Sequence, residues 1–200
     1  MKKKFNIVGI PQVPLKIPGQ SLPQWIDLYS RLYIERILFL FRIFDDDFIN
    51  QIIGMLLYLN MESKKKPIYL YLNSNGGSIN SGIALYDIIK YLNVNIISAC
   101  MGFTASIASF ILTTGTLKKR LALPHSRILL HQPETELYGQ ASDLLLASEE
   151  LIRVRRIIAK IYVEHTSQCL TRIARDLDRN SFLSAREAKN YGIIDHIICK

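Results

Sequence analysis

This 200-residue sequence has few cysteines and no metal-binding spacing. The three cysteines, Cys100, Cys169 and Cys199, are odd in number and widely scattered. They therefore exclude a disulfide framework and a Cys-x-x-Cys motif, and we interpret them as reduced, partly buried thiols in a reducing compartment. The four histidines form no His-x-x-x-His or His-Glu-x-x-His pair, so no metal site is predicted.

Long apolar runs are also lacking. Stretches such as residues 107–112 are far shorter than a bilayer span, so no membrane helix is expected. The basic start Met1-Lys2-Lys3-Lys4 is not followed by the apolar run of a secretory signal. Regular patterning begins by about Trp25, so we also expect no cleavable organelle-targeting peptide.

Positive charge is present but dispersed. The net charge is +8, with local basic clusters only at residues 2–4, 64–66 and 153–156. We interpret these clusters as a tail, a loop and a helix face. No RNP-type aromatic motif or helix-turn-helix pattern accompanies them, so nucleic-acid binding is not predicted.

The chain is predicted to alternate strands with helices. Residues 1–24 hold four of the seven prolines and are interpreted as an extended arm, with residues 25–200 as a single domain. We predict helices over residues 26–35, from a cap at Asp46 or Asp47, around 83–89, from about 106, and over 141–166, 170–177 and 185–191. We predict strands over residues 37–40, 68–72, 94–99, 121–123, 127–130 and 193–198. This alternation indicates an α/β fold with a mostly parallel sheet.

Two segments combine strand ends with small residues. The segment at residues 73–77 ends in Gly76-Gly77. Glycine allows backbone N–H groups there to turn toward an anion, as an oxyanion hole or anion nest requires. A plain strand-to-helix turn is the alternative. Ser106 lies between a predicted strand and helix, a position that favours developing negative charge on a nucleophile. An N-cap serine is the alternative there. The stretch is not the Gly-x-Ser-x-Gly elbow, and Ser109 is an equal candidate on composition.

A third segment supplies a possible base. His131 follows the predicted strand over residues 127–130, where a histidine is either structural or catalytic, and His125 competes with it. Together the three segments provide a hydroxyl, a base and an anion hole, which are the parts needed for acyl transfer.

An ordered series of short segments carries a family resemblance. They are Tyr29-Ser30-Arg31-Leu32, Glu35-Arg36, Tyr69-Leu70-Tyr71-Leu72-Asn73-Ser74, Gly76-Gly77, Ala84-Leu85-Tyr86-Asp87, Cys100-Met101-Gly102, Ala105-Ser106, Lys119-Arg120, Leu123-Pro124, His131-Gln132-Pro133, Gly139-Gln140-Ala141, Phe182-Leu183-Ser184-Ala185, Glu187-Ala188 and Tyr191-Gly192. This series covers roughly residues 8–198 and resembles the proteolytic subunit of the Clp protease, ClpP. The run Ile10-Pro11-Gln12-Val13-Pro14, with Pro18-Gly19 and Trp25, resembles the plastid-encoded branch.

The resemblance implies an architecture and a set of partners. It implies the crotonase-like ClpP fold, with stacked ββα units and a protruding handle helix at about residues 141–167. Homo- or heteromeric rings of seven subunits would stack in pairs as a tetradecamer. A Clp-family AAA+ ATPase would consume ATP and feed unfolded polypeptides to the rings, whereas this subunit would bind no cofactor. The expected role is protein quality control in the chloroplast stroma, with the bacterial cytoplasm as the alternative.

The resemblance also implies site residues. It makes the chain a serine endopeptidase with Ser106 as nucleophile and His131 as base. The N–H groups of Gly77 and Ile107 would form the oxyanion hole. Tyr69 and Tyr71 would lie near the surface that receives loops of the ATPase.

One departure from the family pattern concerns the third member of the triad. Asn180 stands where the family has an aspartate. An asparagine can accept the Nδ1–H of the histidine but carries no charge to stabilise imidazolium, and the same exchange costs trypsin-type enzymes ~10⁴ in kcat. We therefore expect reduced activity, with Asp178 two residues away as a possible substitute. In addition, residues 134–136 (Glu-Thr-Glu) replace a glycine-containing stretch that pairs across the ring interface, which favours a mixed ring.

Two other functions were weighed. A low-activity or non-catalytic subunit of a mixed Clp ring is consistent with Asn180 but not with the presence of both Ser106 and His131. A crotonase-type acyl-CoA enzyme would share the fold and the oxyanion glycines. Such enzymes commonly use carboxylates as acid and base, whereas this sequence offers serine and histidine.

Overall fold

The computed structural model describes residues 11–15, 23–134 and 138–199. Its helices are α1 (Leu28–Ile34), α2 (Asp46–Glu62), α3 (Ile79–Tyr91), α4 (Ile107–Thr113), α5 (Ala141–Thr166), α6 (Leu170–Leu177) and α7 (Ala185–Tyr191). Its strands are β1 (Gln12–Leu15), β2 (Gln24–Asp27), β3 (Ile37–Leu40), β4 (Ile68–Ser74), β5 (Ile96–Ala105), β6 (Arg120–Ala122), β7 (Arg127–Leu130), β8 (Ser181–Ser184) and β9 (His196–Ile197).

Seven of the strands form one sheet, in the order β3-β4-β5-β6-β9, with β7 pairing the far end of β5 and β8 pairing β7. All neighbours in this sheet run parallel except β7 and β8. The short strands β1 and β2 form a separate antiparallel pair. The predicted α/β fold with a mostly parallel sheet is therefore confirmed.

The core lies between this sheet and the helices that cover one of its faces. Alternate residues of β3 and β4, including Leu38, Leu40, Leu70 and Leu72, are fully buried, as expected for strands with one face on the core. Every residue of α4 is buried, so this helix is central. Because α4 starts directly after β5, the core fixes the position of the junction between them.

Arg120 joins three distant parts of the chain from a buried position. Its Nε and Nη2 donate to the carboxylate of Asp195 at 2.9 and 2.7 Å. Its Nη1 donates to the carbonyl oxygens of Thr113, at the end of α4, and of His165, at the end of α5, at 3.3 and 2.8 Å. The five-donor fork of arginine suits such a junction.

Several predicted elements have the observed bounds, among them β3, β7, α5, α6 and α7. Other details of the prediction were wrong: the strand β8 was not predicted, and the helix predicted over residues 26–35 begins only at Leu28, after β2. Asp45, not Asp46 or Asp47, caps α2 and accepts a hydrogen bond from the N–H of Phe48 at 2.7 Å. The strand predicted over residues 94–99 runs instead over Ile96–Ala105, and the terminal strand contains only His196–Ile197.

The predicted N-terminal arm is only partly visible. Residues 1–10 and 16–22 lie outside the described residues, but β1 pairs with β2 in the register Gln12 to Asp27. The strand β2 crosses the predicted boundary after residue 24. Within the described ranges, no helix is both long and apolar enough to span a bilayer.

Candidate active site

Ser106 occupies the turn between β5 and α4 in an unusual backbone conformation. Its φ of 55° and ψ of −130° are rarely adopted by a residue with a side chain. The turn is held because the Ser106 N–H donates to the carbonyl of Leu129 at 3.1 Å, and its carbonyl accepts from the N–H groups of Ser109 and Phe110. The Ser106 hydroxyl makes no capping hydrogen bond, so the alternative role as an N-cap side chain is not observed.

His131 reaches the same edge of the sheet by way of β7. The parallel register places Ala105 of β5 beside Leu129 of β7, so the residues that follow both strands leave the sheet together. Ser106 and His131 line one narrow cavity of about 20 Å³, with its wall completed by Ile79, Ile107, Phe110, Pro133, Ile158 and Tyr162. The His131 side chain is 19% exposed. The structure therefore brings the predicted hydroxyl and the predicted base into one site.

The glycine pair packs against the serine turn. A Cβ on Gly76, whose φ is 98°, would lie 2.8 Å from Ser106 Cβ and 3.4 Å from the nitrogen of Ile107. A Cβ on Gly77 would lie 2.4 Å from the carbonyl oxygen of Phe44, so both positions require glycine. Within the described chain, the N–H groups of Gly77 and Ile107 have no hydrogen-bond acceptor. Two free donors thus border Ser106, as an oxyanion hole requires.

The rival serine has a structural position. Ser109 is fully buried, and its hydroxyl donates to the Ser106 carbonyl at 2.7 Å and bonds the hydroxyl of Tyr162 at 3.0 Å. Burial raises the pKa of Tyr162 well above the usual range of a phenol, which keeps this hydroxyl neutral. The Ser109–Tyr162 pair therefore supports the cavity wall rather than offering a nucleophile.

The rival histidine, His125, lies away from the cavity, and so does the buried His165. His125 is exposed in the turn between β6 and β7. His165 is buried near the end of α5, and burial, together with the charges of Lys90 and Arg120, lowers its pKa to about 4. Neither residue lines the cavity that contains Ser106, so the geometry favours His131 as the base.

The predicted third member of the triad, Asn180, makes no hydrogen bond with the base. The antiparallel register pairs Leu130 with Ser181, so the next step along the strands places Asn180 opposite His131. Asn180 is exposed, and no hydrogen bond joins it to the imidazole. The Nδ1 atom of His131 is buried and has no hydrogen-bond partner among the described residues. Asp178 does not take the place of Asn180, because the carboxylate of Asp178 pairs with Arg155.

A carboxylate that sequence reasoning did not include in the site lies closer. Oε1 of Glu134 is 3.6 Å from Nδ1 of His131. The His-x-x-Glu spacing is visible in the sequence, where Glu134 belongs to the stretch at residues 134–136 that differs from the family pattern. Glu134 also lines a wider cavity of about 400 Å³, which is bordered by Gly77, Ser78, Ile79, Asn80, Ala147, Glu150, Leu151 and Val154. This wider cavity, which we call the groove, lies between the glycine loop and α5 and meets the narrow cavity at Ile79.

The two predicted docking tyrosines belong to an aromatic face of the sheet. Tyr69 and Tyr71 are half-buried on β4. The ring of Tyr71 stacks on that of Phe39 at 5.7 Å, and Phe39 contacts Phe41 and Tyr29 edge-on. Contact with an ATPase at this face stays a prediction.

Comparisons with known proteins identify the family. The model of the Clp protease family matches residues 19–200. In the part of the chain that the structure describes, no cluster of potential metal ligands occurs. The chain is 55% identical to the ATP-dependent Clp protease proteolytic subunit of Bigelowiella natans, over 96% of this chain and 98% of that protein. It is 55% identical to the subunit of the same name from Oltmannsiellopsis viridis, over 95% and 97% of the two chains. The identity to the Chlorella vulgaris subunit is 52%, over 95% and 94%. The chain belongs to the Clp protease family and has its α/β fold.

Proposed function

We propose that this peptidase is a serine-type endopeptidase subunit of an ATP-dependent Clp protease, with Ser106 as its nucleophile. The observation that carries the proposal is the meeting of Ser106, His131 and two unpaired N–H groups at one edge of the sheet. Unpaired donors beside an uncapped hydroxyl and an imidazole are the parts of acyl transfer.

The chemistry would proceed in two stages. Ser106 Oγ attacks the carbonyl carbon of a peptide bond while Nε2 of His131 takes its proton, and the N–H groups of Gly77 and Ile107 stabilise the oxyanion. His131 then gives the proton to the leaving amine, which leaves an ester on Ser106. Water, deprotonated by the same imidazole, hydrolyses that ester and restores the hydroxyl.

The groove suits an extended polypeptide. It runs from the glycine loop to α5 and has apolar contacts from Ile79, Leu151 and Val154. Ligand sites are commonly concave, mostly apolar and furnished with a few polar groups. A substrate lying here would have its scissile carbonyl beside Ser106.

Assembly into rings is supported by exposed apolar side chains. On α5, the handle helix of the family, Leu145, Leu146 and Ile152 are 63%, 66% and 48% exposed, an unusual amount for a free surface. We propose that α5 lies between two stacked rings of seven subunits and that the aromatic face on β3 and β4 receives a Clp ATPase. Because the relatives come from algae and plants, we place the complex in the plastid stroma.

We further propose that Asn180 lowers the activity of this subunit and that the rings contain other subunits. A neutral residue opposite His131 cannot stabilise the imidazolium by charge. The alternative of a purely structural subunit is less well supported, because the hydroxyl of Ser106 does not cap α4.

The test is to label the purified native complex with a fluorophosphonate and to assay it on an unstructured peptide. Labelling of this chain that Ser106→Ala abolishes and Ser109→Ala leaves in place is the expected result. An unlabelled chain in an intact complex would contradict the proposal. Acyl-CoA turnover that survives Ser106→Ala would support a crotonase-type enzyme instead.

A further inference from the structure

We propose that Glu134 is the positioning residue of His131 and supplies the negative charge that Asn180 lacks. This inference rests on the proposed serine peptidase function. Three observations carry it: an unpaired nitrogen on His131, the distance to Glu134, and the commitment of the neighbouring carboxylates to other partners.

The first observation is the state of the imidazole. Nδ1 of His131 is buried and has no hydrogen-bond partner among the described residues. A catalytic histidine needs an acceptor for Nδ1–H, because that bond fixes the tautomer that leaves Nε2 free to take a proton. The register puts Asn180 opposite His131, but Asn180 does not accept a hydrogen bond from Nδ1 of His131 in the structure.

The second observation is geometric. Oε1 of Glu134 lies 3.6 Å from Nδ1 of His131, and the Glu134 side chain is 76% exposed. This separation is within ion-pair range and just beyond a hydrogen bond. Pro133, with its fixed φ, limits the paths by which residue 134 can follow the histidine. Because the Glu134 side chain is free to rotate, a small change in its dihedral angles would close the remaining gap.

The third observation is that other nearby carboxylates are occupied. Asp178 pairs with Arg155. Asp176 accepts a hydrogen bond from the Tyr191 hydroxyl at 3.0 Å and lies 3.7 Å from Arg172. Within the described ranges, Glu134 forms no ion pair other than the one with His131.

The groove explains how an exposed carboxylate could act. Glu134 and Gly77 line the same groove, so a polypeptide bound there would cover both. Displacing water from the groove strengthens the attraction between the carboxylate and a charged imidazole. That charge exists only after the proton has moved from Ser106 Oγ to Nε2, so the contact would stabilise the transition state more than the bound substrate and would act mainly on kcat.

The experiment compares Glu134→Gln with wild type in the assembled native complex, using the pH profile of kcat and kcat/KM on a fluorogenic peptide. We expect kcat to fall about two- to tenfold, with little change in KM. This is the effect expected of losing an exposed ion pair that bound substrate partly shields from water. We also expect the pH profile of kcat to differ from that of wild type, because a carboxylate beside the imidazole has been removed. Glu134→Asp, which keeps the charge, should restore part of kcat.

The matched control is Asp47→Asn, which removes one exposed carboxylate from α2, away from both the groove and α5. Its pH profile should coincide with that of wild type. A second arm repeats Glu134→Gln in the Asn180→Asp background, where the effect on kcat should shrink to less than twofold because a carboxylate already faces His131.

Two outcomes would overturn the inference. One is a Glu134→Gln profile that matches the Asp47→Asn profile, and the other is an equal loss of kcat in both backgrounds. Fluorophosphonate labelling of Ser106 in wild type separates these results from failure of the proposed function. A labelled wild type with an unshifted Glu134→Gln profile contradicts only the role of Glu134, whereas an unlabelled wild type contradicts both.

Discussion

A Cβ atom on Gly76 would lie only 2.8 Å from the Cβ of Ser106. Because Gly76 also has a φ of 98°, Gly76→Ala must move either the glycine loop or the serine turn. We expect a loss of about 10²-fold in kcat/KM, the effect of displacing reacting groups by about 1 Å. Peptide hydrolysis and the rate of fluorophosphonate labelling, measured on intact rings, check this expectation.

The matched control for that change is Gly54→Ala in α2. A Cβ there meets no atom within 4 Å, and alanine is favoured over glycine in a helix by about 1 kcal/mol. We expect unchanged kcat/KM and slightly raised stability. Equal losses of activity in the two variants would contradict the proposed contact between Gly76 and the serine turn.

Asn180→Asp should increase peptide hydrolysis. The antiparallel pairing of β7 and β8 places residue 180 opposite His131, where a carboxylate would stabilise the imidazolium. Asparagine in this role costs ~10⁴ in trypsin-type enzymes, and a gain of about tenfold or more in kcat is expected here. The comparison needs rings of the same composition. No gain in such rings would mean that Asn180 does not limit the activity.

Ser109→Ala should lower stability and leave the nucleophile in place. The Ser109 hydroxyl is a partner of the buried Tyr162 hydroxyl at 3.0 Å, and an unpaired buried hydroxyl costs about 1–3 kcal/mol. Urea unfolding should show this loss while fluorophosphonate still labels Ser106. Ser106→Ala should show the opposite pattern, with no labelling and nearly unchanged unfolding. A folded Ser109→Ala protein without labelling would contradict the assignment of the nucleophile.

His165 should make the fold sensitive to acid. Burial lowers its pKa from 6.5 to about 4, so below pH 6.5 the unfolded chain takes up a proton that the folded chain does not. The free energy of unfolding should therefore fall as the pH decreases from 6.5 to about 4, by up to about 3 kcal/mol. Urea unfolding of wild type at pH 7, 5.5 and 4 measures this slope.

The control for the acid effect uses two of the three non-catalytic histidines, His165 and His125. His165→Gln should flatten the slope of unfolding free energy against pH in this window, whatever its effect on absolute stability. His125→Gln changes an exposed residue and should keep the wild-type slope. A His165→Gln protein as acid-sensitive as wild type would show that other groups cause the loss.

Elements with a long or uninterrupted local pattern were predictable from the sequence. The bounds of α5 follow from its amphipathic repeat over 26 residues, and β3 follows from its apolar run. The strand β8 was missed because Ser181–Ser184 is short and half polar, and only its pairing with β7 makes it a strand. The register of β1 with β2 likewise depends on residues 12 positions or so apart, which local patterns do not specify.

The sequence could indicate which residues would meet, but not their geometry. Motif order favoured Ser106 over Ser109 and His131 over His125, and in the structure Ser106 and His131 line one cavity that Ser109 and His125 do not line. Their catalytic roles stay a prediction. The positive φ of Ser106 could not be predicted, because it is imposed by the buried α4 and the hydrogen bond to Leu129. The approach of Glu134 to His131 depends on the backbone path from His131 through Pro133, which a single sequence does not reveal.

The junction at Arg120 has a consequence for synthesis of the protein. Among the described residues, Asp195 is the one carboxylate that pairs with the buried guanidinium of Arg120, and β9 is the outer neighbour of β6. Burying an arginine without its counter-charge is energetically unfavourable. In a growing chain, the ends of α4 and α5 that Arg120 joins therefore cannot reach their final packing until residue 195 has left the ribosome. The serine turn at the start of α4 would then be completed late, and a nascent chain would not be able to cut the polypeptides around it.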